Sequence, residues 1–502
     1  MTTIINAKVG LARGGVSRVW LEGQKLLHAG LRIGTRYALK SDEASKRVEL
    51  VALEDSSTVK TKGVFTVSRR ERNGIVTPVL EVRSELFAKF FKGLEKVRVA
   101  IRAGRILITA RQIDVKIRER VERIQRKLAD RQRLATGSLF HGTGILDKAL
   151  HRGLIAVGVA AFIQVGVEQE GTFLDASLRN NPELWSEESV AINSDIRDLY
   201  LAGAMPLLDI VWGGVPCVSA SLAGRAKNKL EFAEEHSTAG TLFFDLLECV
   251  KASNPAVVLL ENVKPYASTA GMAVIRSVLD SLGYLVFETV LSGGQFGAIE
   301  DRHRLVMVAV TKGLGSGEFL FPNTHPSVAD RGMESLGNVL QDIPLDSPRW
   351  KPYEYLVAKE KRDIEDGKFF RRQLVTAEST SIGCCGKGYG KARTTEPHLK
   401  HPHNPLLSRL LTPVEHARVK TIPEEVIAGL SETVAHEALG QSVVFNKLEA
   451  VGVALGSYLQ GHPIPATFYD PQIMVAAALE EVDESDLVEQ VRSPIQMDLL
   501  AA

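Results

Sequence analysis

From about residue 134 onward the chain alternates short apolar runs with helical patterns, and this alternation constrains the fold more than any other feature. "GSLFHGTGILDKALHRGL" (137–154) sets an apolar run before Gly142 and Gly144, then continues at helical spacing. The next apolar run, "LIAVGVAAFIQVGVEQE", ends in acidic residues. Strands and helices in this order predict an α/β architecture with a doubly wound sheet. Glycines after the first strand let a ligand approach the turn closely, and an acid at the next strand end can accept hydrogen bonds from ribose hydroxyls. Glu168 stands 26 positions after Gly142, and Asp195 follows a third apolar run in "AINSDIRDLY". A tight turn alone would also explain the glycines; the two acids favour a nucleoside-bearing cofactor.

Three further segments place reactive side chains where strands are expected to end. "DIVWGGVPCVSAS" (209–221) puts Cys217 in a Pro-Cys turn, where a thiol is poorly placed to fill a core. "NPAVVLLENVKPYAS" (254–268) ends a buried-strand pattern in Glu261 and Asn262. "GYLVFETVLSGGQFGAIEDRHRLVMVAV" (283–310) sets Arg302 and Arg304 two apart at the start of an apolar strand, so both are expected on one side of it. Singly, each has a structural explanation: a packed thiol, a capping carboxylate, an edge-strand ion pair.

Taken in order, the phenylalanine and glycine turn at Phe140, the Pro-Cys turn, "ENV", "RHR", "RLLTPVEHARVKTIP" (409–423) and "LGQSVVFNKLEAVGVALGSYL" (439–459) resemble the DNA cytosine-5 methyltransferase family over roughly residues 136–460. The resemblance implies a Rossmann-like S-adenosylmethionine-dependent methyltransferase fold with a small target-recognition domain. It implies that Cys217 is the nucleophile adding to cytosine carbon 6, that Glu261 contacts ring nitrogen 3 and the exocyclic amine, and that Arg302 and Arg304 support the base and the loops. It also implies S-adenosyl-L-methionine as cofactor, held by Phe140, Gly142, Gly144, Glu168, Asp195 and Ile196, with Gln441 and Ser442 returning from the last block. Double-stranded DNA is the implied partner, with the base flipped out of the stack, and a restriction endonuclease acting separately is a further expected partner. Three positions depart from the family: Val218 and Glu300 stand where glutamine is usual, and Gln441 where asparagine is usual. The alternatives are an RNA-directed (tRNA) cytosine-5 methyltransferase and a catalytically silent DNA-binding regulator.

Charge divides the chain. Residues 1–135 hold 30 Lys and Arg against 14 Asp and Glu, although the whole chain carries only +1. A polyanion is the natural partner for such a segment, unless the surplus is simply a solvated basic surface. Within it, "SRVWLEGQKLLHAGLRIGTRYAL" and "TPVLEVRSELFAKFFKGLEKVRVAI" each read strand, short helix, turn, strand, and resemble the paired units of AbrB-like swapped-hairpin barrels that bind DNA. An unrelated small β-barrel is the alternative. The expected organisation is a basic β-rich domain over 1–110 and a helical connector over 111–135. The catalytic domain follows over 136–315, then a target-recognition region over 316–405, a return to the catalytic domain over 406–470, and an acidic tail over 471–502.

The remaining composition excludes more than it specifies. At 502 residues, 45% hydrophobic, the chain can bury two or three domain cores. Four cysteines, two of them the adjacent Cys384 and Cys385, suit neither a disulfide framework nor a zinc site, so no metal is expected. No apolar stretch is long enough to span a membrane and the first residues lack a secretion signal. The expectation is a cytoplasmic monomer.

Overall fold

The computed structural model describes residues 2–54, 63–199, 205–216, 240–315, 317–331, 335–368, 370–393 and 395–470. Cys217, Val218 and the tail 471–502 lie outside the described residues. The chain divides into two compact units, Met1–Glu119 and Arg120–Ala502.

The first unit is one nine-stranded antiparallel sheet. Its elements are β1 (Thr3–Leu11), β2 (Ser17–Glu22), α1 (Gln24–His28), β3 (Arg36–Asp42), β4 (Arg47–Ala52), β5 (Val64–Thr66), β6 (Ser68–Arg72), β7 (Ile75–Arg83), α2 (Glu85–Phe90), β8 (Lys96–Arg102) and β9 (Arg105–Ala110). The strand order is β5-β3-β4-β9-β8-β1-β2-β7-β6. The two end strands, β5 and β6, are separated in sequence only by Val67, so one stretch of chain carries both ends of the sheet. The two similar segments seen in the sequence form β2-α1-β3 and β7-α2-β8. Their pairing is self-consistent under exchange of halves: Val19 pairs with Val82 and Leu21 with Leu80, while Val48 pairs with Ile108 and Leu50 with Ile106. An approximate twofold axis therefore relates the halves. Strand alternation fills the interior with Val19, Leu21, Leu80, Val82, Val99, Ile101, Ile106 and Ile108.

Helix α3 (Gln112–Ala129) follows, and its residues from Arg120 belong to the second unit. There Arg123 and Lys127 contact the fully buried Asp209 carboxylate at 3.0 and 2.5 Å, and Asp209 also accepts the Ala135 amide at 2.8 Å. Burying the Asp209 carboxylate requires these two partly exposed cations beside it, and the pairing ties the helix to the strands beneath.

The second unit is built on β10 (Leu134–Leu139), β11 (Ala161–Glu168), β12 (Val190–Asn193), β13 (Ile210–Gly213), β14 (Val257–Val263), β15 (Tyr284–Leu291) and β16 (Arg304–Thr311). They order as β12-β11-β10-β13-β14-β16-β15. All neighbours are parallel except β16, which runs antiparallel to both β14 and β15. Both faces are covered, as a near-continuous apolar strand requires. Val306, Val308 and Val310 face a core shared with α4 (Ile145–Ala156) and a late helix, Phe445–Leu459. On that same side α5 (Gly171–Asn180) reaches the late segment, its Asn180 Nδ2 donating to the Val426 carbonyl at 3.0 Å, while Leu305, Met307 and Ala309 face the other core, with α6 (Leu242–Ser253) and α7 (Ala270–Ser281).

In sequence, a smaller module lies between β16 and the late helices. It holds α8 (Pro326–Arg331), α9 (Glu354–Glu365) and the three-stranded sheet β17 (Gln373–Val375), β18 (Pro397–Lys400) and β19 (Ser408–Arg409). A separate core of Ile299, Leu336, Trp350, Val375, Ile382, Cys385, Tyr389, Leu399, Leu411 and Val419 supports it. The chain then returns through α10 (Pro413–Arg418), α11 (Glu432–Gln441) and α12 (Phe445–Leu459). Arg409 and Glu415 form a buried two-bond ion pair at 2.6 and 2.8 Å that fixes the start of this return.

Candidate active site

Strand order reverses at β10, which lies between β11 and β13. Open α/β sheets bind ligands at such a point, outside the carboxyl ends of the strands. Here β10 is followed by Phe140, itself at φ 59, then by Gly142 at φ 60 and Gly144 at φ 76 as N-cap of α4. Gly144 is required twice over, since a Cβ there would stand 2.6 Å from Ser177 Oγ. Beneath the turn, the buried Asp147 carboxylate accepts from Trp212 Nε1 at 2.7 Å and Ser138 Oγ at 2.9 Å, and lies 3.0 Å from His141 Nδ1. Its partners hold the Asp147 carboxyl below the usual aspartate range even though burial, the largest influence, acts in the opposite direction.

Glu168, at the end of β11, accepts the Gly142 amide at 2.6 Å and the Glu170 amide at 2.9 Å. Asp195, two residues past β12, caps a short 3-10 turn by accepting the Arg197 amide at 3.0 Å, and pairs with the Arg197 guanidinium. That hydrogen bonding lowers its carboxyl below the ordinary value. Ile196 is buried in the apolar cluster against which Phe140 packs.

The last block reaches this turn because two glycines let helices touch. A Cβ at Gly153 of α4 would lie 2.1 Å from the Glu449 carbonyl oxygen, and one at Gly452 of α12 would lie 2.5 Å from that of Leu150. Gln441 and Ser442 close α11 just before this contact; Gln441 is exposed, and Ser442 Oγ donates to the Leu439 carbonyl at 2.7 Å.

The reactive groups converge at the neighbouring strand ends. Glu261 is buried at the end of β14, and its Oε1 has no hydrogen-bond partner among the described residues. Arg304 Nε stands 3.6 Å from that same oxygen. Asn262 Nδ2 donates to the Val215 carbonyl at 3.0 Å, and Gly214 lies so close that a Cβ there would be 3.9 Å from Glu261 Oε2. The segment leading to Cys217 is thus held against Glu261 as far as it is described.

Arg302 differs from its partner. The strand begins at Arg304, and Arg302 precedes it, buried, with Nη1 donating to Glu300 Oε1 at 3.2 Å and Nη2 reaching the Gly440 carbonyl at 3.4 Å. The two arginines therefore serve different carboxylates. Glu300 Oε2 is 3.2 Å from Lys420 Nζ, which also donates to the Leu439 carbonyl at 2.7 Å. Burial pushes this lysine down to about 8. Glu300, Cys385 and His416 bring three donor atoms within 4.8 Å of one another. Lys420 and Arg302 already stand as cations against that carboxylate.

Sequence reasoning missed two elements of the site. Asp147 and Trp212 are 65 residues apart, and no local pattern joins them. Lys447, third residue of α12, is fully buried, and its Nζ has no hydrogen-bond partner among the described residues. A lysine inside "VVFNKLEAV" was the available signal.

The reversing parallel sheet, the glycine turn and the acids at successive strand ends define an S-adenosylmethionine-dependent methyltransferase of the α/β class. The model for C-5 cytosine-specific DNA methylase matches residues 135–457, more than half of the chain, and the chain belongs to that family. Its members transfer a methyl group from S-adenosylmethionine to carbon 5 of cytosine in DNA. Type II methyltransferase M.HhaI of Haemophilus parahaemolyticus is 27% identical over 282 residues, covering 52% of this chain and 79% of the relative. Type II methyltransferase M.SsoII of Shigella sonnei is 27% identical over 263 residues, covering 51% of this chain and 65% of the relative, a little under two thirds of its length. The solved Entamoeba histolytica methyltransferase EhMeth shares the fold at TM-score 0.50 and 16% identity, covering 65% of this chain and 98% of its own. No helix among the described residues is long and apolar enough to cross a membrane.

Proposed function

We propose that the chain methylates carbon 5 of cytosine in double-stranded DNA through a covalent adduct on Cys217. The observation that carries this reading is Glu261: a buried carboxyl whose Oε1 accepts no hydrogen bond among the described residues, beside the segment leading to Cys217 and paired with Arg304. Carbon 5 is a poor nucleophile until a thiolate adds to carbon 6. As the Cys217 sulfur forms that bond, Glu261 hands a proton to ring nitrogen 3, so that electron density moves to carbon 5. S-adenosylmethionine, when bound, supplies the electrophilic methyl group. Loss of the carbon 5 proton to water, with the ring nitrogen 3 proton returning to Glu261, then expels the thiolate. Arg304 steadies the Glu261 carboxylate once its proton has gone, and Arg302 fixes the loop through Glu300 and Gly440.

The cofactor fits the residues present. Nothing described lies within 4 Å of where a Gly142 Cβ would be, which leaves backbone open to a ligand. Phe140 and Ile196 supply apolar walls for a purine, Glu168 and Asp195 retain acceptor capacity for ribose hydroxyls and amines, and Gln441 and Ser442 close the site from α12's side. A base inside a duplex is out of reach of such a pocket, so flipping is part of this reading, at a cost of a few kcal/mol that groove contacts must offset.

The proposed division of labour follows the expected spans. The 316–405 region reads the target through basic and polar side chains, and the 1–110 domain holds the DNA backbone through its positive surplus. Action as a monomer is part of this reading. Relatives described as Type II methyltransferases support a separately acting restriction endonuclease as partner. A DNA substrate favours a cytoplasmic location. Incubation with labelled S-adenosylmethionine and either duplex DNA or transfer RNA tests the reading. Label in DNA, lost in Cys217→Ser, is expected; label in RNA alone, or none, contradicts it.

A further inference from the structure

We propose that the first unit meets the DNA backbone through one particular surface, the outward side chains of β3, β4, β9, β8 and β1. This deepens the reading of the 1–110 domain given above and rests on it. Strand register defines the surface. Val48, Leu50, Val99, Ile101, Ile106 and Ile108 fill the interior, so the residues alternating with them point out. Lys40 thus lies beside Glu49, Arg102 beside Arg105, and Lys8 beside Lys96. The two ends of the sheet treat such cations differently. On β2, β7 and β6 a carboxylate meets every arginine: Glu81 stands 2.9 Å from Arg18 and 2.6 Å from Arg83, Glu71 stands 2.7 Å from Arg69, and Glu22 holds Arg70 and Arg72. On the proposed surface Lys8, Lys40, Lys96, Arg98 and Arg102 are exposed, and their side chains form no ion pair or hydrogen bond among the described residues. Its strands supply only Asp42 and Glu49 as acids, and Glu49 is taken by Arg105.

Like charges also stand directly opposite one another here, Lys8 against Lys96 and Arg102 against Arg105. Such cross-strand pairs destabilise a sheet. Where Arg18 opposes Arg83 in the same way, Glu81 bridges the two. No described carboxylate does this for Lys8 and Lys96, and a row of phosphates supplies the missing charge. Shape and composition point to the same occupant. A cleft of about 730 Å³ opens on this surface, lined by Lys40, Glu49, Val51, Arg102 and Arg105. Lys40 on β3 and Lys8 on β1 are four strand spacings apart, about 19 Å along the sheet, a reach of several nucleotides at about 3.4 Å each. The one aromatic on these strands, Tyr37, is buried. A surface with cations and no exposed rings grips phosphates rather than stacking unpaired bases.

Binding of the full chain to a DNA duplex of unrelated sequence, measured across salt concentrations, tests the proposal. Arg98→Ala with Arg102→Ala is expected to weaken binding by about 10-fold or more at low salt, and to reduce the slope of log affinity against log salt by about two. Arg69→Ala with Arg72→Ala, whose charges carboxylates already meet, should weaken it less. Lys96→Glu separates binding from folding. Facing Lys8, the introduced carboxylate should leave the melting temperature equal or higher while affinity for DNA falls. A lower melting temperature with unchanged DNA affinity would contradict the proposal by showing a structural role. Equal or greater loss from the Arg69 and Arg72 pair overturns the choice of surface and leaves the reading of the domain standing, whereas no loss from either pair overturns both. Transfer RNA bound more tightly than duplex DNA through Arg98 and Arg102 would also contradict the proposal.

Discussion

The two units of this chain bury side chains under different rules. Among the described residues of Met1–Glu119, no buried residue carries a charge. The second unit buries Asp147, Asp209, Glu261, Glu300, Arg302, Lys420 and Lys447. Some of these charges are paired outright, as Asp209 is by Arg123 and Lys127. Others, Glu261 Oε1 and Lys447 Nζ, are left without hydrogen bonds among the described residues. A fold stabilised by burial alone does not keep such groups, because each costs on the order of 1–3 kcal/mol. The contrast teaches that the second unit keeps charged groups in its interior, Glu261 among them at the strand ends of the candidate site, while the described charged side chains of the first unit stay at least partly exposed.

The predictions that sharpen or break this contrast run from catalysis to surface charge. Glu261→Gln is expected to lower methyl transfer by roughly 10²–10⁴-fold, the range for loss of a positioned acid. Cofactor affinity should be preserved, and single-turnover kinetics beside calorimetric binding measure both. Leu80→Ala, in the apolar interior of the first unit, is expected to cost about 2–5 kcal/mol. Hydrogen exchange should report the loss across β2 and β7 and leave β10–β16 protected; uniform loss would break the contrast. Gly153→Ala forces a methyl group against the Glu449 carbonyl, and about 1–3 kcal/mol of destabilisation is expected in thermal melts.

A pH effect comes next. Burial depresses His151 to about 4 from its ordinary 6.5. The unfolded chain then binds a proton more readily than the folded one between those values, so stability is full above about 6.5 and falls as the pH drops toward 4. At pH 5 the loss should be about 2 kcal/mol. Chemical denaturation at pH 5 and pH 7, with His151→Phe flattening the difference, checks the sign. The smallest effect belongs to the first unit's surface. Arg69 and Arg72 are exposed, and replacing both by alanine should weaken DNA binding evenly across sequences. The same replacement should make binding less steeply dependent on salt, by about one unit of slope for each phosphate that is no longer neutralised.

Much of the architecture was legible because it depends on local pattern. The glycine turn at Gly142 and Gly144 and the strand ending in Glu261 follow from apolar runs and turn residues, as do the similar halves of the first unit. The pairings that turn those halves into a twofold arrangement, such as Leu21 with Leu80, join distant positions and leave no local trace. The separation of Arg302 from Arg304 was also hidden. Two-residue spacing implies a shared face only within a strand, and the strand starts at Arg304, leaving Arg302 drawn to Glu300. Glu300 itself, legible as a departure from the family, finds its reason in Lys420. Asp147 and Lys447 look ordinary in sequence because their importance comes from what is folded around them.

The central claim, that Cys217 forms a transient bond to an extruded cytosine, is tested most directly by trapping. Duplex DNA carrying 5-fluorocytosine, incubated with the protein and S-adenosylmethionine, should yield a denaturation-resistant complex whose cross-linked peptide contains Cys217, with no such complex from Cys217→Ser. Methylated DNA product formed without any adduct at that sulfur would contradict the account.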